Sequence, residues 1–264
     1  MSIPFFQIDA FTNKPFGGNS AAVCLLSNPG KSVWMQNVAA EMNLSETAFL
    51  HRQKEGYSLR WFTPTTEVDL CGHATLAATQ ALYELGYVTD NKPITFFTKS
   101  GALTATKTKD MIELNFPIEP AEPTDTPPPY LLEALGVNAT FVGKNRFDYL
   151  IEVATVNEVK NLDPDFNQLK KLKLRGVMVT AKSNSQQCDF VSRFFAPGAG
   201  INEDPVTGSA HCCLGPYWAT KLGKTKLVAH QISQRKGELF LQLSDNRIFI
   251  RGHAVTVLQG ELRA

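Results

Sequence analysis

The chain has 264 residues, of which 43% are hydrophobic and 19% are charged, and its formal net charge is +1. This length and composition are typical of a globular protein with two modest domains, each able to bury a core. The nearly neutral charge, without a basic block, gives no support to nucleic-acid or anionic-membrane binding. No apolar run approaches the length of a membrane span.

The first half of the chain alternates apolar segments with two helical patterns. Met35, Val38 and Met42 recur at helical spacing and predict a helix over 31–42, and a second, strongly apolar pattern predicts a helix over 74–85. The segment Phe16-Gly17-Gly18-Asn19-Ser20 has the composition of a loop. Strands are predicted over residues 3–8, 21–26, 44–50, 57–62, 94–98, 102–107 and 111–116.

Six prolines occur among the thirteen residues 117–129, which predicts a linker. We therefore expect domains at 1–117 and 118–264. The last strands either stay with the second domain or pack back on the first. Beyond the linker, helices are predicted at 130–135, 164–171 and 209–222. Strands are predicted at 139–143, 147–154, 176–181 and 188–195, followed by an antiparallel meander over 227–262.

A short phrase occurs twice. Arg60-Trp61-Phe62-Thr63-Pro64 precedes Cys71-Gly72-His73-Ala74, and Arg193-Phe194-Phe195-Ala196-Pro197 precedes Thr207-Gly208-Ser209-Ala210. The second copy has three more residues between the arginine and the glycine. Each copy leads into a helix that is apolar nearly all round, as expected for a helix enclosed by strands. The sequence therefore predicts an α+β fold of two pseudo-symmetric halves, each a curved, barrel-like sheet around a central helix, with the site in the cleft between them.

Glu46 is the first candidate for catalysis. In a strand over 44–50 it shares a face with Leu44, Ala48 and Leu50. A carboxylate on an apolar face is costly unless it is paired, protonated or functional, and a buried carboxylate suits general acid–base catalysis. The alternative is a glutamate at the strand edge that faces solvent.

Two helix starts supply the other candidates. Cys71 lies where helix-start N–H groups stabilise a thiolate, and His73 is placed to orient a substrate or relay a proton. The alternatives are a packed thiol and a histidine bound to backbone. In the second phrase, Glu203 and Asp204 are either helix caps or, for Asp204, a polar group of the site. Gly208 permits close approach of backbone to substrate, and Ser209 adds a hydroxyl.

Cofactor motifs are absent from the sequence. It contains no strand-linked G-x-G-x-x-G, no P-loop and no G-x-S-x-G. The C-x-H and H-C-C spacings fit no familiar zinc framework, so no metal is expected; they comprise Cys71, His73, His211, Cys212 and Cys213. Because the number of cysteines is odd and no C-x-x-C pair occurs, no disulfide framework is expected. The N-terminus lacks the basic n-region of a signal peptide, so a cytoplasmic location is expected.

Taken together, the motifs resemble the phenazine-biosynthesis PhzF-like family within the diaminopimelate-epimerase fold, over nearly the whole chain. The markers are Asp9-Ala10-Phe11-Thr12 with Phe16-Gly17-Gly18-Asn19; Asn43-Leu44-Ser45-Glu46-Thr47-Ala48-Phe49; Glu67-Val68-Asp69-Leu70-Cys71-Gly72-His73-Ala74-Thr75; and Glu203-Asp204-Pro205-Val206-Thr207-Gly208-Ser209-Ala210-His211.

The resemblance implies a homodimer without cofactor or metal. It implies that Glu46 shuttles a proton, as the corresponding glutamate does when family members isomerise a dihydro-hydroxyanthranilate. His73 and Asp204 are implied as the other catalytic residues lining the pocket. The implied substrate-binding set is Gly18, Asn19, Cys71, Gly72, Thr207, Gly208 and Ser209.

The related two-cysteine epimerases use one cysteine on each face of the substrate. Cys71 stands at the first cysteine's place, but Thr207 stands at the second's, and a hydroxyl is a poor base without an activator. We therefore expect a cofactor-independent isomerase that moves a proton within a small carboxylate-bearing metabolite. The alternatives are a catalytically silent metabolite-binding or adaptor protein and a cysteine-dependent amino-acid racemase.

Overall fold

The structure, a computed structural model, describes residues 2–89 and 91–263 and consists mainly of strands. Its contacts divide the chain into two compact units. The first comprises Met1–Phe116 and Phe249–Ala264, and the second comprises Pro117–Ile248. The final segment belongs to the first unit, rather than to a second domain running to residue 264, because strand Ala254–Arg263 pairs antiparallel with Ser2–Ala10.

The first unit is a sheet-rich body with two helices. Its elements are β1 (Ser2–Ala10), β2 (Asn19–Leu26), α1 (Ser32–Met42), β3 (Glu46–Gln53), β4 (Gly56–Phe62), β5 (Glu67–Val68), α2 (Gly72–Glu84), β6 (Ile94–Thr98), β7 (Gly101–Thr108) and β8 (Met111–Pro117). The chain returns to this unit through its last strand, Ala254–Arg263.

Helix α2 is the centre of the first unit. Ten of its thirteen residues are buried, and it contacts β1, β2, β3 and β7. Its small and apolar side chains, such as Ala74, Leu76 and Ala77, leave no polar face that would favour solvent. This confirms the prediction of a helix enclosed by strands.

The second unit contains the remaining elements. They are β9 (Glu122–Pro123), α3 (Leu131–Leu135), β10 (Ala139–Lys144), β11 (Asp148–Val153), α4 (Val156–Lys160), α5 (Phe166–Leu169), β12 (Gly176–Lys182), β13 (Phe190–Ala196), β14 (Ile201–Asp204), α6 (Gly208–Leu222), β15 (Lys226–Gln231) and β16 (Gly237–Ser244). Strand β17 (Arg247–Gly252) then leads to β18, the final strand named above.

The two units repeat one strand pattern. In the first, β2–β3 is parallel, β3–β4 antiparallel and β4–β6 parallel. In the second, β11–β12 is parallel, β12–β13 antiparallel and β13–β15 parallel. Helices α2 and α6 each precede the fourth strand of the pattern. The predicted α+β fold with two similar halves is confirmed.

Helix α6 continues through a proline. Pro216 cannot donate to the carbonyl of Cys212, four residues earlier. The backbone N–H of Glu119 donates to that carbonyl instead, at 2.9 Å. The helix is further held by Trp218, whose Nε1 donates to Thr180 Oγ1 of β12 at 2.9 Å. The lost helical bond is therefore replaced, and the helix reaches Leu222.

The repeated arginines make the same contacts. Two nitrogens of Arg60 donate to the two carboxylate oxygens of Glu67, at 2.7 and 2.8 Å. The Arg60 guanidinium lies 5.1 Å from the Phe62 ring centre. Arg193 is bound by Glu203 at 2.6 and 2.9 Å. Glu203 is thus the partner of an arginine and not a helix cap.

The three extra residues of the second copy are accounted for by a local turn. A 3-10 helix, Pro197–Ala199, separates β13 from β14, and Gly200 ends it at φ 92°. Glycine adopts this left-handed conformation without steric cost. The insertion lengthens the path from Arg193 to Glu203 without breaking their ion pair.

Two predictions of local structure differ from the structure. The helix expected over 164–171 covers only Phe166–Leu169, while α4 was not predicted and is held by a capping box between Thr155 and Glu158. Strand β3 begins at Glu46, and both of its faces are buried from Thr47 to Leu50. The apolar face that drew attention to Glu46 is therefore not a distinguishing feature of this strand.

In the described part of the chain, no helix has the length and hydropathy needed to cross a membrane.

Candidate active site

The structure brings five of the predicted residues together in the first unit. Asn19 begins β2, Glu46 begins β3, and Cys71, Gly72 and His73 form the start of α2. The parallel pairing of β2 with β3 sets Ala21 opposite Glu46, so the two strands start side by side. The strands and the helix are thus the reason why residues far apart in sequence meet.

His73 is the central contact of this group. Its Nε2 lies 3.2 Å from Glu46 Oε2, and its Nδ1 lies 3.2 Å from the side-chain nitrogen of Asn19. The Sγ atom of Cys71 lies 3.5 Å from the same Nδ1. The Glu46 side chain is 13% exposed, which argues against a solvent-facing strand-edge glutamate.

Burial lowers the pKa of His73 to about 3, so the imidazole is neutral near pH 7. The Asn19 amide donates to Nδ1, and the proton of the neutral ring is then on Nε2, which faces Glu46. His73 therefore places a neutral ring beside Glu46, although Nε2 and Oε2 lie 3.2 Å apart without hydrogen-bond geometry.

Cys71 is the N-cap residue of α2. Its carbonyl accepts hydrogen bonds from the Thr75 hydroxyl at 2.5 Å and from the Thr75 N–H at 3.2 Å. The thiol is 7% exposed. Cys71 is thus fixed by its backbone while its sulfur faces His73.

Gly18 has a structural requirement of its own. It has φ +59°, and a Cβ atom there would lie 2.1 Å from the carbonyl oxygen of Ala10. The Ala10 carbonyl therefore leaves no room for a side chain at position 18, immediately before Asn19. Its predicted role in substrate binding stays a prediction.

The second unit holds the other predicted residues at the start of α6. Thr207 is the N-cap, and its hydroxyl donates to Asp204 Oδ2 at 2.5 Å. Gln231 joins both: its Oε1 accepts from the Thr207 N–H at 2.8 Å, and its Nε2 donates to the Asp204 carbonyl at 2.7 Å. Asp204 is thus held by side chains and does not cap the helix.

Gln231 was missed by the sequence reasoning. It is 1% exposed and alternates with the buried Leu227 and Ala229 along β15. A polar residue on the apolar face of a strand is the same signal that selected Glu46. Applied to β15, that signal would have found it.

Arg175 was also missed. One of its nitrogens donates to Ser209 Oγ at 3.0 Å, and Nε donates to Asp148 Oδ1 at 3.0 Å. Its guanidinium lies 5.3 Å from the Phe194 ring centre. In the sequence it ends the stretch Lys170–Arg175, where four basic residues resemble an ordinary solvated surface. It places a guanidinium that is paired with the Asp148 carboxylate beside Ser209, the second residue of α6.

Among the described residues, the starts of α2 and α6 both lack a hydrogen bond from the helix to the side chain of the N-cap residue. Within the described residues, neither Cys71 nor Thr207 accepts a hydrogen bond from its own helix through its side chain, and neither helix has an acidic residue in its first turn. N–H groups at a helix start, reinforced by the helix dipole, favour anions. Both starts therefore retain the chemistry needed to bind a carboxylate.

A metal could draw on Glu46, Cys71 and His73, whose donor atoms lie within 4.8 Å of one another. These residue types are zinc ligands. However, the short contacts of Cys71 and Glu46 are to opposite nitrogens of the imidazole, and an ion binds only one of them. The arrangement fits hydrogen bonding better than joint coordination.

Comparison with known proteins assigns the chain to a family. A family profile described as phenazine biosynthesis-like protein matches residues 8–260. A relative from Halalkalibacterium halodurans, named an uncharacterized isomerase, is 55% identical over 262 residues, which cover 99% of each chain.

Solved structures agree. A PhzF-family phenazine biosynthesis protein from Enterococcus faecalis matches with a TM-score of 0.94 and 42% identity, covering 100% of both chains. A predicted epimerase from Pseudomonas aeruginosa matches with a TM-score of 0.76 and 21% identity over 99% of both chains, and so shares the fold. The chain belongs to the phenazine biosynthesis-like, or PhzF, family.

Proposed function

We propose that the protein is an isomerase that moves a proton within a small carboxylate-bearing metabolite, with Glu46 as general acid and base. The names of the relatives support an isomerase. The observation that carries the proposal is the Glu46 carboxylate, largely buried and 3.2 Å from a neutral His73.

Glu46 takes a proton from one carbon of the substrate and returns it to another. The neutral His73 lies 3.2 Å from the carboxylate oxygen and adds no positive charge beside it. A charged imidazolium would stabilise the carboxylate and weaken it as a base, so the neutral ring is the better partner. Asn19 fixes the ring from its other nitrogen.

The developing negative charge needs donors that are already oriented. The first-turn N–H groups of α2, beginning at Gly72, supply them next to His73. In the second unit, Asp204, Ser209 and the start of α6 at Gly208 are proposed as substrate-binding groups, with Arg175 as an added cation. Whether both sets bind one substrate stays a prediction, as does the homodimer.

The chemistry needs no electron acceptor, because the proton leaves and returns without a change in oxidation state. A cysteine-dependent racemisation is the second candidate, because Cys71 Sγ lies 3.5 Å from His73 Nδ1. Thr207 is its weak point: the hydrogen bond to Asp204 orients the hydroxyl, but a carboxylate is too weak a base to form an alkoxide.

Hydrogen exchange in deuterated water tests the proposal. Anthranilate-like and amino-dicarboxylate compounds are incubated with the protein, and NMR follows deuterium at carbon and formation of an isomer. We expect exchange or isomerisation that Glu46→Gln abolishes. Glu41→Gln, an exposed glutamate on α1, is the matched control and should retain the activity.

The other outcomes separate the alternatives. Activity retained by Glu46→Gln but lost in Cys71→Ser would replace the proposal by cysteine-dependent racemisation. Tight binding of a metabolite without exchange at any carbon would instead indicate a binding protein.

A further inference from the structure

The loop between β1 and β2 leads directly into the candidate active site. The two strands are antiparallel and their last pair is Ala10 opposite Asn19, so residues 11–18 form the loop. The Asn19 side chain lies 3.2 Å from His73 Nδ1. Phe16 is three positions before Asn19, and the Cα atoms of the two residues are therefore at most about 11 Å apart. The loop thus places Phe16 close to any substrate held beside Asn19 and His73.

Two aromatic residues of this loop have a left-handed backbone. Phe11 has φ 62° and Phe16 has φ 70°. A bulky residue with positive φ is a steric outlier, whereas glycine adopts this conformation without steric cost. Each of the two positions therefore carries a conformational cost, and the interactions of the residue show whether that cost is offset within the fold.

Burial of the ring offsets the cost at Phe11. Phe11 is fully buried, and a Cβ atom added at Gly252 would lie 2.5 Å from its ring. The Phe11 N–H donates to the His253 carbonyl at 2.8 Å. Burying an aromatic side chain is among the largest apolar contributions that one residue makes to stability. Packing in the first unit therefore accounts for Phe11.

Packing does not account for Phe16, which is 75% exposed. Its backbone is nevertheless held in place, because the Phe16 N–H donates to Oδ2 of the buried Asp9 at 2.7 Å. Asp9 therefore maintains an unfavourable backbone conformation that presents an aromatic ring to solvent. Residues in such conformations cluster at active sites and at segments that hold ligands. The exposed ring is thus better explained by binding than by folding.

We propose, on the basis of the isomerase function proposed above, that Phe16 is a specificity-determining residue whose ring covers the apolar part of the substrate. The donors at the start of α2 bind the carboxylate, and the Phe16 ring contacts the carbon skeleton. Contact removes apolar surface of both partners from water, which favours binding. The substrate class is then a carboxylate with an apolar body, rather than a short amino-dicarboxylate with charges at both ends.

Binding of two probes tests this role without requiring turnover. Titration calorimetry gives the dissociation constants of anthranilate, which has an apolar ring, and of L-aspartate, which has none. We expect wild type to bind anthranilate more tightly than L-aspartate. Phe16→Ala should weaken anthranilate binding about tenfold, the effect of losing one aromatic contact, and L-aspartate binding less than about twofold. Phe16→Tyr should keep the wild-type affinity.

Val33→Ala is the matched control. Val33 is 74% exposed, lies on α1 and has no role in the proposed site, so its replacement should change neither dissociation constant. Anthranilate bound no more tightly than L-aspartate by wild type overturns the proposal. An unchanged anthranilate affinity in Phe16→Ala also overturns it.

Urea unfolding separates binding from a structural role of the ring. Asparagine adopts a left-handed backbone more readily than phenylalanine, so Phe16→Asn should unfold at a higher urea concentration than wild type. The same variant should bind anthranilate as weakly as Phe16→Ala. Unfolding of Phe16→Asn at a lower urea concentration than wild type would show that the ring stabilises the fold, and overturns the proposal.

Two further results are distinguishable from these. Loss of self-association in Phe16→Ala, measured by analytical ultracentrifugation, would assign the ring to an interface between copies of the chain and overturns the proposal. Hydrogen exchange retained by Glu46→Gln would instead contradict only the proposed proton transfer, because the dissociation constants of the Phe16 variants are measured without turnover.

Discussion

The starts of α2 and α6 are built alike but carry different chemistry. In both, the carbonyl of the N-cap residue accepts from the side chain four residues later: Thr75 to Cys71 at 2.5 Å, and His211 to Thr207 at 2.8 Å. Around α2 the neighbours are Glu46 and a neutral histidine. The comparison teaches that a duplicated scaffold fixes two helix starts, while a few neighbouring side chains give each start a different chemistry.

Around α6 the neighbours are hydrogen-bonding groups. Asp204 is held by Thr207 and by Gln231, and Ser209 is held by Arg175. These contacts hold the polar groups in hydrogen bonds, whereas in the first unit the Glu46 carboxylate lies beside a neutral histidine. We interpret the α2 start as the chemical half and the α6 start as a binding half.

The largest expected effect separates these two roles. Glu46→Gln should lower kcat about 10²–10⁴-fold, because it removes the proposed general acid–base while keeping the shape of the side chain. Asp204→Asn should act mainly on KM. Steady-state kinetics on a substrate identified by exchange would measure both. A larger loss of kcat in Asp204→Asn than in Glu46→Gln would reverse our assignment of the two halves.

The duplicated ion pairs allow a comparison of stability. Arg193 donates to the Leu162 carbonyl at 2.8 Å in addition to Glu203, whereas Arg60 donates to the exposed Ser32 hydroxyl. We expect Arg193→Met to cost about 3 kcal/mol and Arg60→Met about 2 kcal/mol, since the former leaves more partners unsatisfied. Urea unfolding measures the free energy lost in each variant. A larger loss in Arg60→Met than in Arg193→Met would contradict this prediction.

Acid should destabilise both halves. Burial lowers the pKa of His73 to about 3 and of His211 to about 4, below the value of about 6.5 in an unfolded chain. The unfolded chain therefore binds more protons, and stability falls as pH falls from about 6.5 towards these values. The expected slope is about 1.4 kcal/mol per pH unit for each histidine.

Variants divide this slope between the halves. His73→Asn and His211→Asn should each remove the contribution of one proton from the pH dependence of the free energy of unfolding. A slope unchanged in either variant would mean that the histidine concerned is not kept neutral by the fold.

The smallest expected effect tests the side-chain bond at the start of α2. Thr75→Val removes the hydroxyl that donates to Cys71 and should cost about 1 kcal/mol. Thr79→Val, which removes a similar bond to the Thr75 carbonyl, is the matched control within the same helix. We expect only Thr75→Val to lower turnover as well as stability. Equal turnover in the two variants would show that this bond does not position the site.

The sequence by itself determined the duplication, the α+β class and the candidates Glu46, Cys71 and His73, because repeated phrases and motifs are local properties. The motifs of the sequence also indicated the family. The strand assignments of the first unit were close for the same reason.

Only the tertiary structure decided which distant side chains meet. The contacts of Gln231 with Asp204 and of Arg175 with Ser209 join residues that lie 27 and 34 positions apart. The pairing of β18 with β1 joins residues that lie still further apart in the sequence. Strand pairing sets such contacts through register and direction, and these depend on the whole sheet rather than on any local pattern.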